Sequence, residues 1–262
     1  MGLIEDEEYF AKKYELQKEL VIDKNNKSIE IVKLSFDNVA RVEAMIRTDS
    51  DYKDSLNKNS GLVIDRKGNI KHIGSSSYWL EQLKKLINND KIVYSYEQII
   101  NNIIKAIDNE NSTHLNSDNI GRESVKKRIL NISINDLVNY LKYPGNEYKL
   151  ISIIQTPQVE GEKNHLSFAT KFCHYCSISL FKGEKYEDNY SIYDNVIKTS
   201  LPLYIKRYLN IDVDVKEYDN DYLKYISYID MIRKQASKEY DKIISRNGFD
   251  HLIWYYHKGK KI

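Results

Sequence analysis

The sequence predicts a mainly α-helical fold with a small α+β part at its N-terminal end. Three observations carry that expectation. Ser28-Ile29-Glu30-Ile31-Val32-Lys33-Leu34-Ser35 alternates apolar and polar side chains, the period of a half-buried strand. Leu62-Val63-Ile64-Asp65 and Asn69-Ile70-Lys71-His72-Ile73 flank Arg66-Lys67-Gly68, a hairpin in which Gly68 can take positive φ. After the serines at 75–77 the apolar residues change to helical spacing and keep it. The chain therefore divides into a small α+β region, 1–77, and a helical domain, 78–262.

Taken in order, Asp37 is placed to cap a helix over 38–47 carrying Val39, Val42, Ala44 and Ile46. A helix over 78–88 sets Leu80, Leu83 and Leu86 or Ile87 on one stripe. The next, 94–107, carries Ile99, Ile100, Ile103, Ile104 and Ile107. The polar stretch 108–119 reads as a linker or mobile loop. Short helices follow over 124–131 and 135–142, the second capped by Ser133 or a neighbour. Pro144-Gly145 breaks the chain, and 148–154 restarts it. Helices over 166–180, 195–209, 222–244 and 249–257 complete the pattern, with no repeat and no heptad run.

At 262 residues the chain can bury a sizeable core, as one large domain or two small ones. Forty Lys and Arg against 38 Asp and Glu give a net charge of +2. That value neither supports nor excludes nucleic acid, because a local basic patch suffices for phosphate contact. The 22 tyrosines match the codon bias of an AT-rich genome, although their flat faces also suit base stacking. No apolar run reaches the length of a membrane span, and the acidic start (Glu5, Asp6, Glu7, Glu8) is no secretory signal. Two cysteines make no disulfide framework. The expected setting is cytoplasmic.

Chemistry concentrates in two segments. Lys171 lies in Ser167-Phe168-Ala169-Thr170-Lys171-Phe172-Cys173-His174, and Asp194 lies in Ser191-Ile192-Tyr193-Asp194-Asn195-Val196-Ile197. Phe168, Phe172, Cys176 and Leu180 make the core stripe of the first helix, with Lys171 on its shoulder. A shoulder lysine ordinarily covers apolar surface with its stem and keeps its amine in water. Asp194 is a good N-cap for the helix that follows. A Thr-Lys step opening one helix and an apolar-Asp-x-x-apolar step opening the next resembles the helix-hairpin-helix DNA glycosylases, over roughly 165–200. The nearest branch is that of the 8-oxoguanine glycosylase/lyases.

The resemblance implies a glycosylase-like helical bundle with a degenerate helix-hairpin-helix. It implies Lys171 as nucleophile and Asp194 as the ionised carboxylate, with no metal or organic cofactor. The partner it implies is double-stranded DNA with a flipped base, bound by a monomer. Candidate walls for that base are Tyr175, Tyr193, His174, Trp254 and Tyr255, the last two on a C-terminal helix. Lys163, Asn164 and Ser167, with Lys258 in the basic tail, are the candidate DNA contacts. The substrate would be a damaged base or a hypermodified base of phage DNA in anti-phage defence. The family's Leu-Pro-Gly-x-Gly hairpin is degraded here to a stretch whose one glycine is Gly161, and the Lys171–Asp194 interval of 23 residues is long.

Two other readings stay open. Cys173-His174-Tyr175-Cys176 has the half-site spacing for zinc, with His251 and His257 as further ligands, although Cys176 falls on the core stripe. A non-catalytic nucleic-acid-binding or interaction module on a helical scaffold would leave Lys171 facing solvent.

Overall fold

The computed structural model describes residues 15–48, 63–64, 70–72, 74–111, 113, 115, 120–158 and 160–258. In chain order the elements are β1 (Lys18–Ile22), β2 (Ser28–Val32), α1 (Phe36–Thr48), β3 (Val63–Ile64), β4 (Ile70–His72), α2 (Ser76–Ile87), α3 (Tyr96–Asn111) and α4 (Gly121–Leu130). Then come α5 (Ile134–Lys142), α6 (Lys149–Gln155), α7 (Leu166–Leu180), α8 (Asn195–Leu209), a 3-10 turn (Val215–Glu217), α9 (Tyr222–Tyr240) and α10 (Arg246–His257). The fold is mainly helical, with a two-stranded antiparallel sheet near the N-terminus and a second short pair, β3–β4. Among the described residues no helix is long and apolar enough to cross a membrane.

The chain forms two compact units, one of Met1–Asp49 with Tyr193–Ile262 (unit 1), the other of Ser50–Ile192 (unit 2). The division expected at residue 77 follows element type; these units follow contact, and unit 1 is assembled from both ends of the chain.

In unit 1, β1 and β2 pair antiparallel with Leu20 opposite Glu30. The Asp23 carboxylate accepts the Asn25 and Lys27 amides and shapes the turn between them. Helix α1 starts two residues earlier than Asp37 implied. Ser35 supplies the cap, its hydroxyl accepting the Asn38 amide at 3.3 Å, and Asp37 sits in the first turn. α1 packs on α10, and α8 packs on α9 and α10. Tyr204, Tyr225, Phe249, Leu252 and Ile253 fill this core together with Ile31, Val32 and Leu34 of the sheet region.

Helix α8 continues through Pro202, which has no N–H to give the carbonyl four residues back. That carbonyl, on Lys198, instead accepts the Tyr218 hydroxyl at 2.7 Å. Helix α9 ends at Tyr240, four residues before the expected 244, because Asp241 turns left-handed with φ +58°. Helix α10 begins at Arg246 rather than 249, with the Ser245 hydroxyl accepting the Gly248 amide.

Unit 2 is organised around α7, which packs on α2, α3, α5 and α6. A helix contacted on so many sides is buried on nearly all faces, and polar Thr170, Lys171, His174 and Ser177 are buried with the expected stripe. The polar stretch expected as a linker begins differently. Helix α3 runs on to Asn111. Buried Asp108 then accepts the Thr113 hydroxyl and the Leu115 amide and pairs with Arg122 at the start of α4. A polar composition here reflects an internally satisfied corner for those residues, while 112, 114 and 116–119 lie outside the described residues. Strands β3 and β4 fall within the expected hairpin, whose turn at 65–69 also lies outside them.

Candidate functional site

The expected site residues distribute over both units. Lys163, Asn164, Ser167, Lys171, His174 and Tyr175 belong to unit 2; Tyr193, Asp194, Trp254, Tyr255 and Lys258 belong to unit 1.

In unit 2, Lys171 is only 6% exposed. Its amine lies 3.5 Å from the Asn111 carbonyl, a long hydrogen bond at the C-terminal end of α3. One turn along α7, the Tyr175 hydroxyl donates to the Asn111 side-chain oxygen at 2.9 Å. The Asn111 side-chain nitrogen in turn donates to the Ile107 carbonyl. Lys171 and Tyr175, four residues apart on one helical face, thus converge on Asn111. Asn111 was missed because it fell in the polar stretch; the signal that would have found it is the isoleucine periodicity of α3 carried one turn further. His174 is buried, with its Nδ1 2.9 Å from the Tyr190 carbonyl and its ring edge-on to Tyr175.

The loop before α7 replaces the glycine-rich hairpin of the resemblance. Gly161 takes φ +82°. The Glu162 carboxylate turns inward and accepts the Gln158 amide, the Ser124 hydroxyl and the Arg128 guanidinium, the last at 2.6 Å; His165 Nε2 lies 3.2 Å away. Burial alone would raise its pKa, but the Gln158 amide, Arg128 and Ser124 outweigh that and hold it at about 2. Lys163 and Asn164 are exposed, and Ser167 is half-buried. Asn164 accepts the Leu166 amide, so its oxygen holds the entry to α7.

In unit 1, Asp194 adopts an extended backbone and its carboxylate accepts the Val196 amide at 2.8 Å, capping α8. The free amides of that first turn favour a negative charge there. Lys258, just past α10, lays its amine 3.9 Å from the centre of the Trp254 ring. The residue as a whole is exposed, yet partial enclosure of the amine lowers its pKa, opposed by the nearby Asp194 carboxylate. Trp254 and Tyr255 are half-buried with their rings edge-to-face. Tyr193 is committed differently. Its ring packs edge-on against Tyr225, its hydroxyl donates to Asp219 and accepts the Asn220 amide, and it is buried among further tyrosines.

Cys173 and Cys176 are free thiols, both wholly buried, and burial pushes both upward in pKa. A thiol held protonated is a poor metal ligand. His257 belongs to unit 1, where its Nε2 meets the Tyr204 hydroxyl at 2.8 Å. Among the described residues no three or more His, Cys, Asp or Glu are grouped to hold a metal.

Chemically, unit 2 presents a buried amine beside a helix C-terminus, and unit 1 presents a carboxylate on a helix N-terminus near the Lys258 amine, which itself lies against the Trp254 indole. Compared with protein-family models, with curated proteins and with solved structures, the chain matches none.

Proposed function

We propose that this chain is a DNA glycosylase, with or without lyase activity, that flips a damaged or modified base out of double-stranded DNA and cuts it from its sugar. The observation that carries the reading is the setting of Asp194, a carboxylate capping the helix that follows the lysine-bearing helix. Breaking the bond from C1′ to the base nitrogen sends the electron pair to the base and leaves positive charge on the sugar. A carboxylate at a helix N-terminus stabilises that charge. Water then adds to C1′, or the Lys171 amine does. In the second case its lone pair forms the new C1′–N bond, a proton leaves the nitrogen, and ring opening gives an imine from which the strand breaks by elimination.

Base flipping costs a few kcal/mol, which aromatic contact must offset. Tyr175, Trp254 and Tyr255 keep part of their surface accessible and suit that role better than Tyr193, whose ring is packed inside unit 1. Where the family's hairpin amides hold a phosphate, the Gln158 amide is taken here by Glu162. Phosphate contact then falls to Lys163, Ser167 and the exposed Lys258. A damaged base such as 8-oxoguanine and a hypermodified base of phage DNA both fit the reading.

The second reading, a non-catalytic binding module, calls for a solvent-facing Lys171; the amine is instead buried against the Asn111 carbonyl, which counts against it.

Borohydride trapping on DNA carrying oxidised, uracil or phage-modified bases separates the two. A covalent complex that Lys171→Gln abolishes supports the lyase. Base release without trapping, reduced at least about 100-fold by Asp194→Asn, supports the hydrolytic enzyme. Asparagine caps a helix as well as aspartate does, so the melting temperature of that variant is expected to hold. No trapping and no base release on any substrate would favour the binding module.

A further inference from the structure

The exposed end of α5 in unit 2 carries an aromatic and cationic surface that the proposed chemistry does not use. Helix α5 stops at Lys142, leaving carbonyls to be satisfied. Segment 181–190 folds back over that end. The Asn189 side-chain nitrogen donates to the Leu141 and Lys142 carbonyls at 2.7 and 3.0 Å, and the Tyr190 hydroxyl donates to the Tyr140 carbonyl at 2.7 Å. These three bonds already hold the segment in place.

Above them stands a further layer. The Tyr143 and Tyr186 rings meet edge-on with centroids 5.4 Å apart and hydroxyls 3.1 Å apart. Buried Phe181 backs Tyr186 at 5.8 Å. The Lys142 amine lies 5.3 Å from the Phe181 ring and 5.5 Å from Tyr186, and the Lys185 amine lies 5.1 Å from Tyr186. Tyr143 nevertheless stays 63% exposed. Anchoring by Asn189 and Tyr190 makes the tyrosine pair redundant as a clasp, and a ring that exposed adds little to the core.

We propose that Tyr143 and Tyr186, flanked by Lys142 and Lys185, form a stacking platform for unpaired nucleotides. An aromatic face accepts any base, and a neighbouring amine accepts the phosphate that follows it. Charge decides how the two contributions divide. The same segment holds Glu184, Glu187 and Asp188, and the Glu187 carboxylate is engaged by the Gly183 amide. The local field is therefore close to balanced, so stacking dominates and the salt dependence is shallow. Two lysines neutralising two phosphates give a slope of log K against log salt near −1.4, at roughly −0.7 each. Paired bases inside a duplex are stacked on both faces, so the interior of duplex DNA is excluded from the platform. The platform needs only that the chain handles nucleic acid, and its test reads binding rather than base release.

The test measures fluorescence anisotropy of a labelled oligo-dT strand, and of a blunt duplex, with the full chain and its variants. Duplex binding, which the proposed glycosylase site supplies, is expected to be the same in wild type and Tyr143→Ala. Tyr143→Ala is expected to weaken single-strand binding about tenfold, in the range of one lost stacking contact. Tyr143→Phe, which keeps the ring and loses the hydroxyl pair, should restore it. Lys142→Ala with Lys185→Ala should flatten the salt slope toward zero. Single-strand affinity unchanged in Tyr143→Ala, duplex affinity lowered by that variant as much as single-strand affinity, or no single-strand binding by the wild type would each overturn the proposal. Borohydride trapping intact in Tyr143→Ala together with lost single-strand binding separates this surface from the glycosylase reading. Circular dichroism melts of each variant guard against reading misfolding as lost binding, and Tyr186→Phe gives a second, less disruptive probe of the ring pair.

Discussion

Glu162 is a carboxylate whose ionisation is built into the fold of unit 2. Its folded pKa of about 2 lies below the ordinary 4.5. The resulting stabilisation is complete above pH 4.5 and is lost as pH falls from there through 2, on the order of 3 kcal/mol. Removing the carboxylate leaves the Arg128 guanidinium, whose side chain is fully buried, without its partner. Glu162→Ala is therefore expected to destabilise the chain by about 3–5 kcal/mol at pH 7, measured by denaturant unfolding. Repeated near pH 2, the difference from wild type should shrink; a difference independent of pH would refute the assignment. Lys171 and Asp194 were legible in the sequence as residue types in order. Asn111 and Glu162 were not, because their importance rests on partners tens of residues away, 60 for Lys171 with Asn111 and 34 for Arg128 with Glu162.

At the scale of the element, three helices contain residues that local propensity argues against, and packing explains each. Pro202 persists within α8 because the Tyr218 hydroxyl serves the carbonyl it abandons. Tyr218→Phe leaves that carbonyl unpaired, and a loss of about 1–3 kcal/mol in thermal or denaturant unfolding is expected. Gly121 opens α4 where a Cβ would stand 2.6 Å from the Leu115 carbonyl oxygen and 3.0 Å from the His165 ring. The nearer atom is backbone, so it cannot swing aside. Gly121→Ala should cost about 1–3 kcal/mol from overpacking, outweighing the helical gain of up to about 1 kcal/mol. Gly248 in α10 is a second case, since its Cβ would meet the Val39 side chain at 2.8 Å and the Ser245 hydroxyl at 3.0 Å. Val39 is buried and stiff at χ1 and Ser245 caps the helix, so Gly248→Ala should also cost about 1–3 kcal/mol. Element types and most boundaries were readable from periodicity and caps. The end of α3 and the start of α10 were not, because polar residues satisfied by one another look like loop, and α9 stops short of its apolar pattern where Asp241 turns left-handed.

At the scale of the molecule, unit 1 joins residues from both ends of the chain. Its bonds span the sequence: Tyr208 accepts the Leu34 amide, Arg207 pairs with Glu19, and Tyr256 donates to Glu30. A chain ending at residue 192 would strip β1, β2 and α1 of these partners while leaving unit 2 its own core. Hydrogen exchange on that truncation is expected to show lost protection across 15–48 and retained protection in α7. Protection surviving in 15–48 would mean that the N-terminal sheet and helix fold without the C-terminal helices.

The sequence by itself determined what depends on near neighbours. The helical class follows from apolar spacing, the breaks from residues such as Pro144 and Gly145, and the capping role of Asp194 from an acidic side chain placed before free amides. Tertiary structure alone decided which distant groups meet. It turned Lys171 inward to the end of α3, closed the loop before α7 on Glu162 and Arg128, and gathered both chain ends into one unit. The physical reason is that helix formation is governed by hydrogen bonds four residues long, whereas burial and charge pairing act between whichever surfaces packing brings together.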